Sequence, residues 1–282
     1  MLKYKICILL LLLVFTGFSS FYMRELKKGD VVAYLRVKNE IKTIEACLKS
    51  IDGVFDRIVI IHSNEKDDGS VALMNKWCEK RAYCEIHEYP YEVIPSHDVR
   101  NRKNPKYENT LAAYNNFGLT FFEDDDWIVK IDADQVYLTE RLKEFVSMLK
   151  SERHENKRFE LKGYNTFSWN GYFVKYKAVP INGVSGDSYV VRKKNFDKFV
   201  QVGNYEDVRF KNVISKTVWY KPVWFHFMQS LKSGGKVYNK DNVTVDKVQF
   251  LSEEEKDIFN TRVRPLLKNS PYYNLKLEQE KM

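Results

Sequence analysis

Two kinds of hydrophobic pattern alternate along the first half of the chain. Asp30 to Leu35, Arg57 to Ile61 and Trp127-Ile128-Val129 are short, nearly continuous apolar runs, as buried strands are, and Cys84 to Tyr89 is a further short strand candidate. Between them, residues 41–51 place Ile41, Ile44, Cys47, Leu48 and Ile51 at helical spacing. Residues 70–80 and Tyr107 to Phe122 also read as helices, and Thr139 is placed to cap a helix running to about Lys150. This βαβαβ rhythm predicts an α/β fold with a parallel sheet and helices on its faces. Ligands of such sheets bind beyond the carboxyl ends of the strands. Three polar stretches fall there: Arg36 to Glu40, His62 to Ser70, and Asp132-Ala133-Asp134.

The second half differs. Aromatic residues crowd positions 159–176, with strand-like patches around Gly163, Gly171 and Gly183. Gly186 to Arg192 reads as a strand, Glu206-Asp207 is an acidic pair, and Thr217 to Met228 is an apolar strand carrying His226. From Ser252 the chain is charged, with a helix over 252–260 and a fraying end, so residues 251–282 read as a charged helical tail. Glu123 to Asp126 reads as a solvated acidic turn.

The 282 residues are enough for a full α/β core, and 44% are hydrophobic and 15% aromatic. A net charge of +8 favours an anionic partner, yet the lysines are scattered, so nucleic acid gains no support. Cys47, Cys78 and Cys84 show no zinc spacing and read as reduced thiols. No Gly-x-Gly-x-x-Gly follows the first strand and no phosphate-binding Walker sequence is present, which disfavours dinucleotide and P-loop enzymes. Residues 1–23 hold an apolar run, Ile6 to Phe18, with Lys3 and Lys5 before it and Arg24, Lys27 and Lys28 after it. They read as a membrane anchor or signal-like segment, with the main domain on the cytoplasmic side. The Asn242-Val243-Thr244 sequon carries no weight alone.

Asp132 and Asp134 stand i, i+2 at the end of a buried strand, and in extended chain that spacing points both carboxylates one way. Paired acids there call for a cation, and hard oxygen ligands suit magnesium or manganese.

In order and spacing, Arg36-Val37-Lys38-Asn39-Glu40, Asp68-Gly69-Ser70, Tyr89-Pro90-Tyr91-Glu92, Trp127 to Asp134, Glu206-Asp207 and His226 resemble the GT-A fold, family 2-like nucleotide-sugar glycosyltransferases. The bacterial lipooligosaccharide β-1,4-N-acetylgalactosaminyltransferases are the nearer likeness, over roughly residues 29–230. The resemblance implies a GT-A domain over residues 24–250, with a mixed, mostly parallel sheet flanked by helices. It implies an inverting, metal-dependent transfer from a UDP-sugar to a glycan hydroxyl, the sugar being N-acetylgalactosamine, or else galactose or glucose. Arg36, Val37, Asn39, Glu40, Asp68, Lys130 and Asp132 would hold the nucleotide-sugar. Asp134 would bind Mn2+ or Mg2+ directly, with Asp132 and His226 as companions. Asp207 is the first candidate for the base that takes the acceptor proton, with Glu206 and Asp187 behind it. The rival readings are a carbohydrate- or membrane-binding protein on an inactive scaffold and a metal-dependent phosphoesterase. Five histidines are few for the latter.

Overall fold

A computed structural model describes residues 29–63, 67–94, 98, 100, 106–151, 156–169, 172–176, 189–202, 205–213, 215–227 and 248–277. The N-terminal apolar segment, Asp187 and the sequon lie outside the described residues.

The strands are β1 (Val31–Val37), β2 (Arg57–Ser63), β3 (Cys84–Tyr89), β4 (Trp127–Asp132), β5 (Gln135–Tyr137), β6 (Lys157–Trp169), β7 (Tyr172–Tyr176), β8 (Tyr189–Arg192), β9 (Phe196–Val202), β10 (Tyr205–Phe210), β11 (Ser215–Phe227) and β12 (Val248–Phe250). The α-helices are α1 (Ile44–Ile51), α2 (Ser70–Cys78), α3 (Leu111–Gly118), α4 (Thr139–Ser151) and α5 (Glu253–Ile258). The main sheet runs β12-β7-β6-β8-β4-β1-β2-β3, with β11 beside β6 and β5, and β9 and β10 form a separate hairpin. β4, β1, β2 and β3 are parallel, as the apolar runs predict, whereas β8 turns antiparallel against both β4 and β6. This is an α/β fold with a mixed sheet flanked by helices.

β1, β2 and β4 are largely apolar because both faces of the sheet are covered there, whereas the edge strand β3 is only partly buried and carries Glu85, His87 and Glu88. On one face Val31, Ala33, Leu35, Val129 and Ile131 pack against Ile44, Leu48 and Ile51 of α1, Met74 and Trp77 of α2, and Leu142, Phe145 and Leu149 of α4. On the other, Val32, Tyr34, Val59, Ile61 and Ile128 meet Ala112, Ala113 and Tyr114 of α3 and Phe196 and Phe199 of the hairpin. A third cluster joins Val136, Phe173, Phe225 and Phe227 to Phe259, Val263, Leu267 and Tyr272.

That third cluster changes the reading of the C-terminus. Residues 251–277 are no appended charged tail. Phe259, Val263 and Leu267 recur every four positions among the charges and are fully buried. Each such burial stabilises by about 1.5–3 kcal/mol. Ser252 starts α5 with a reciprocal capping box to Glu255.

Five local expectations are corrected. Arg36 and Val37 belong to β1 and not to a loop, since β1 pairs with β2 and β4 through Arg36. The segment predicted as one helix from Tyr107 to Phe122 is α3 alone between two 3-10 turns, with Thr110 accepting from Ala113 N as the cap. Thr139 lies inside α4, and its hydroxyl donates to Ser50 O at 2.8 Å instead of capping. Asp126 is buried, accepting from Asp30 N and Glu123 N and pairing with Arg57 at 3.2 Å. Cys78 and Cys84 are not thiols but a disulfide, with 5.2 Å between Cα atoms where α2 turns back into β3. Cys47 is free and buried.

Candidate active site

The side-chain alternation of the parallel strands builds the site. On β4, Ile128, Lys130 and Asp132 share the face toward α3 and the hairpin, while Trp127, Val129 and Ile131 share the other. Lys130 and Asp132 therefore end the apolar column that Ile128 begins. On β1 the same column is Val32, Tyr34 and Arg36, and the register sets Arg36 opposite Asp132. Lys130 Nζ donates to Asp132 Oδ2 at 2.9 Å, and Arg36 lies 3.9 Å from Asp132 Oδ1. Arg36 also donates to Asn115 Oδ1 of α3 at 2.8 Å and to Glu206 of β10 at 3.2 Å. One guanidinium thus ties the strand end, the helix and the hairpin together.

The electrostatics follow from this packing. Burial opposes the Arg36 charge, but Glu206 and then Asp132 outweigh it and hold its pKa above the ordinary value. Burial alone would raise the Asp132 carboxyl; Lys130 and Arg36 outweigh that and hold it below the usual carboxylate range. Burial pushes the Tyr189 hydroxyl well up, against the Arg36 charge beside it. Arg36 Nε, Asn115 Nδ2 and Tyr189 Oη are buried with no hydrogen-bond partner among the described residues. Unpaired donors of this kind are rare in a finished core.

Asp132 and Asp134 do not share an extended segment, because the chain turns at Ala133-Asp134 between β4 and β5. Asp134 is instead set against β11. Its Oδ2 lies 2.9 Å from His226 Nε2, and its backbone oxygen accepts from Phe227 N at 2.9 Å. His226 Nδ1 donates to Asn165 Oδ1 at 3.0 Å, which fixes the ring. Asp134 and His226 thus face each other as a carboxylate–imidazole pair. Among the described residues no three His, Cys, Asp or Glu side chains cluster as a complete metal cage. An oxygen and an imidazole nitrogen held side by side do fit manganese or magnesium, which take few protein ligands and complete their shells with phosphate and water.

The remaining candidates are distributed as follows. Val37 and Asn39 line a small cleft with Lys38, His62, Ser63, Asp67, Ser70, Val71 and Met74, at the carboxyl ends of β1 and β2. Asn39 has φ +58°, the left-handed turn that ends β1. Glu40 and Asp68 tie two loops together: Glu40 N donates to Ser70 Oγ at 2.9 Å and Ile41 N to Asp68 Oδ2 at 3.2 Å. Of the acidic pair, the structure brings Glu206 to Arg36. Asp207 alternates to the opposite side of β10, where it pairs with Arg209 at 3.4 Å and is half exposed. Phe159, Tyr164 and Phe173 of the aromatic stretch are core residues.

Asn115, Asn116 and Tyr189 escaped the sequence reading. Asn116 Nδ2 donates to Phe199 O at 2.9 Å and its Oδ1 accepts from Phe199 N at 2.8 Å, which pins the hairpin to α3. The available signal was two adjacent amides inside a helix, where asparagine is a poor former.

Cations and carboxylates thus gather at the carboxyl edge of a parallel sheet, beside a cleft and an Asp–His pair, which is where ligands of α/β sheets bind. The chain belongs to the family described as beta-1,4-N-acetylgalactosaminyltransferase (CgtA), which matches residues 27–262. Among solved structures, S. aureus TarS 1–349 in complex with UDP is 12% identical with a TM-score of 0.46, covering 70% of this chain and 60% of that one. The glycosyltransferase GlyE of Streptococcus pneumoniae TIGR4 is 9% identical with a TM-score of 0.32, covering 59% of this chain and 35% of that one. This chain thus spans 60% of the length of the TarS fragment. No curated protein matches the sequence. Among the described residues no helix is long and apolar enough to cross a membrane.

Proposed function

We propose that the protein is an inverting glycosyltransferase that moves a sugar from a UDP-sugar to a hydroxyl of a cell-surface glycan. N-acetylgalactosamine is the sugar that the family description names. The observation that carries the reading is the joined cluster of Arg36, Lys130, Asp132 and Glu206, with Asp134 and His226 beside it, at the carboxyl edge of the sheet. Breaking the bond between sugar and diphosphate puts negative charge on the leaving group. Arg36 and Lys130 supply fixed positive charge where that group would leave. When bound, manganese or magnesium would act as a Lewis acid on the phosphates, with Asp134 and His226 as its protein donors. Glu206, whose carboxylate faces Arg36 at that edge, would take the acceptor proton in preference to Asp207, which pairs with Arg209.

Residues 1–23 would hold the domain at a membrane, and a net charge of +8 suits an anionic lipid-linked acceptor. A cytoplasmic face agrees with the charges flanking that segment, whereas the Cys78–Cys84 bond is the feature that speaks for an oxidising compartment.

A screen of UDP-sugars, read as UDP release with and without manganese and with glycan acceptors, tests the reading. One UDP-sugar should turn over with manganese and an acceptor. Asp134→Asn should lower that turnover about a hundredfold or more while leaving the far-ultraviolet spectrum unchanged. Phosphoester hydrolysis in place of transfer, or full manganese-dependent activity in Asp134→Asn, would sink it.

A further inference from the structure

Beside the cleft lies an aromatic patch that the donor chemistry leaves unused. β3 ends at Tyr89, and the chain continues over the carboxyl edge to Tyr91, which is 48% exposed. Tyr107 opens the 3-10 turn before α3 and is 60% exposed. These are two of the few large apolar side chains that the described surface leaves open. Neither ring is loose. Tyr91 packs edge-on against buried Tyr89, with ring centroids 5.5 Å apart at 68°. Tyr107 Oη accepts from Asn116 Nδ2 at 3.0 Å, the amide that also pins the hairpin. Tyr89 itself is anchored, its hydroxyl donating to Glu108 O at 2.6 Å.

The patch adjoins the site from two sides. Lys38, which lines the cleft after β1, donates to Val93 O at 2.8 Å and so draws the segment after Tyr91 to the donor edge. On the other side, Asn116 neighbours Asn115, the residue that holds Arg36. Two tyrosines fixed along one edge keep a face available to a partner and lose little side-chain freedom on binding. An aromatic face meets the C–H face of a pyranose ring, and the phenol hydroxyl can bond the sugar's own hydroxyls.

We propose that Tyr91 and Tyr107 form a stacking platform for the pyranose rings of the glycan acceptor, beside the donor site. The platform rests on the glycosyltransferase reading, because it is the acceptor that brings sugar rings to this edge.

Saturation-transfer NMR on the full chain with UDP and manganese tests it, using methyl β-galactoside, methyl β-N-acetylglucosaminide and lactose as probes. Wild type should transfer saturation to the ring C–H protons of at least one probe. The double variant Tyr91→Ala, Tyr107→Ala should lose that signal about tenfold, and Tyr91→Phe, Tyr107→Phe should keep most of it because the rings remain. UDP affinity, read by calorimetry in the same samples, should stay within about twofold. Equal signals from wild type and the alanine variant overturn the platform, as does silence from all three probes in wild type. Loss of UDP affinity in the alanine variant overturns it too, since the patch would then serve the nucleoside. Failure of wild type to bind UDP strikes the glycosyltransferase reading itself and is told apart by that measurement.

Discussion

Arg36→Met is the perturbation that probes the site most directly. Arg36, Glu206 and Asp132 are 16%, 22% and 24% exposed at their side chains, so solvent screens them little. Removing one partner of such a buried pair leaves a charge uncompensated, at about 3–5 kcal/mol. Asp132 keeps Lys130 at 2.9 Å, so the cost concentrates on Glu206, for which Arg36 is the cation among the described residues. The loss should therefore lie toward the lower end, about 3 kcal/mol. Arg36→Lys keeps the charge but not the fork that reaches Asn115 and Glu206 together, and should cost about 1–2 kcal/mol. In Arg36→Met, Glu206→Gln the stranded charge is gone, so the double variant should recover about 1–3 kcal/mol relative to the sum of the single losses. Urea unfolding followed by circular dichroism measures wild type, Arg36→Met, Arg36→Lys, Glu206→Gln and the double variant by linear extrapolation. A loss under about 1 kcal/mol for Arg36→Met, or additivity within about 0.5 kcal/mol, refutes the network as the tie between strand, helix and hairpin.

Two other expectations follow from packing away from the site. Asp52 takes Arg81 Nε at 2.9 Å and Nη2 at 2.6 Å, together with the Tyr83 hydroxyl, and the Arg81 bonds chiefly hold its carboxyl below the usual range. A depressed folded pKa stabilises fully above the unfolded value of about 3.9 and is lost as pH falls through the lower folded one. Asp52 is 36% exposed, so screening trims the effect to about 1 kcal/mol. Asp52→Asn should thus lower stability at pH 7 and flatten its fall below about pH 4, read by urea titrations at pH 7, 5 and 3; curves that stay parallel contradict this. Gly163 faces Trp224 in the β6–β11 register, and a Cβ there would sit 1.9 Å from the indole. Gly163→Ala should cost about 1–3 kcal/mol or more and lower Tm by several degrees in calorimetry, and an unchanged Tm would show that the indole can move aside.

β1, β2 and the start of β4 were legible because two-sided burial writes itself as a continuous apolar run. The same rule hides the chemistry. Arg36 and Lys130 are the residues at which β1 and β4 stop being apolar, so hydropathy ends the strand before Arg36 while the backbone ladder continues through it. Asp126 reads as one more acid in an exposed run, yet Arg57 and two backbone amides bury it. The C-terminal segment spaces Phe259, Val263 and Leu267 among enough charge that composition masks the period.

Glu206 and Asp207 show a different limit. A strand forces neighbours to opposite faces, so only one of the pair can reach the sheet edge, and the sequence holds both possibilities until the register is known. The register is set by β9, which pairs Glu206 with Gln201 and Asp207 with Val200. The hairpin's seat is set in turn by Asn116, which grips Phe199 two positions from Gln201. A helix amide thus decides which carboxylate meets Arg36, 170 residues away in the chain. Asn116→Ala should for that reason loosen Glu206 from Arg36 without touching either residue, and the Arg36→Met, Glu206→Gln cycle repeated in that background should lose its coupling. Coupling kept intact there would mean that the aromatic packing of Phe196 and Phe199 alone seats the hairpin.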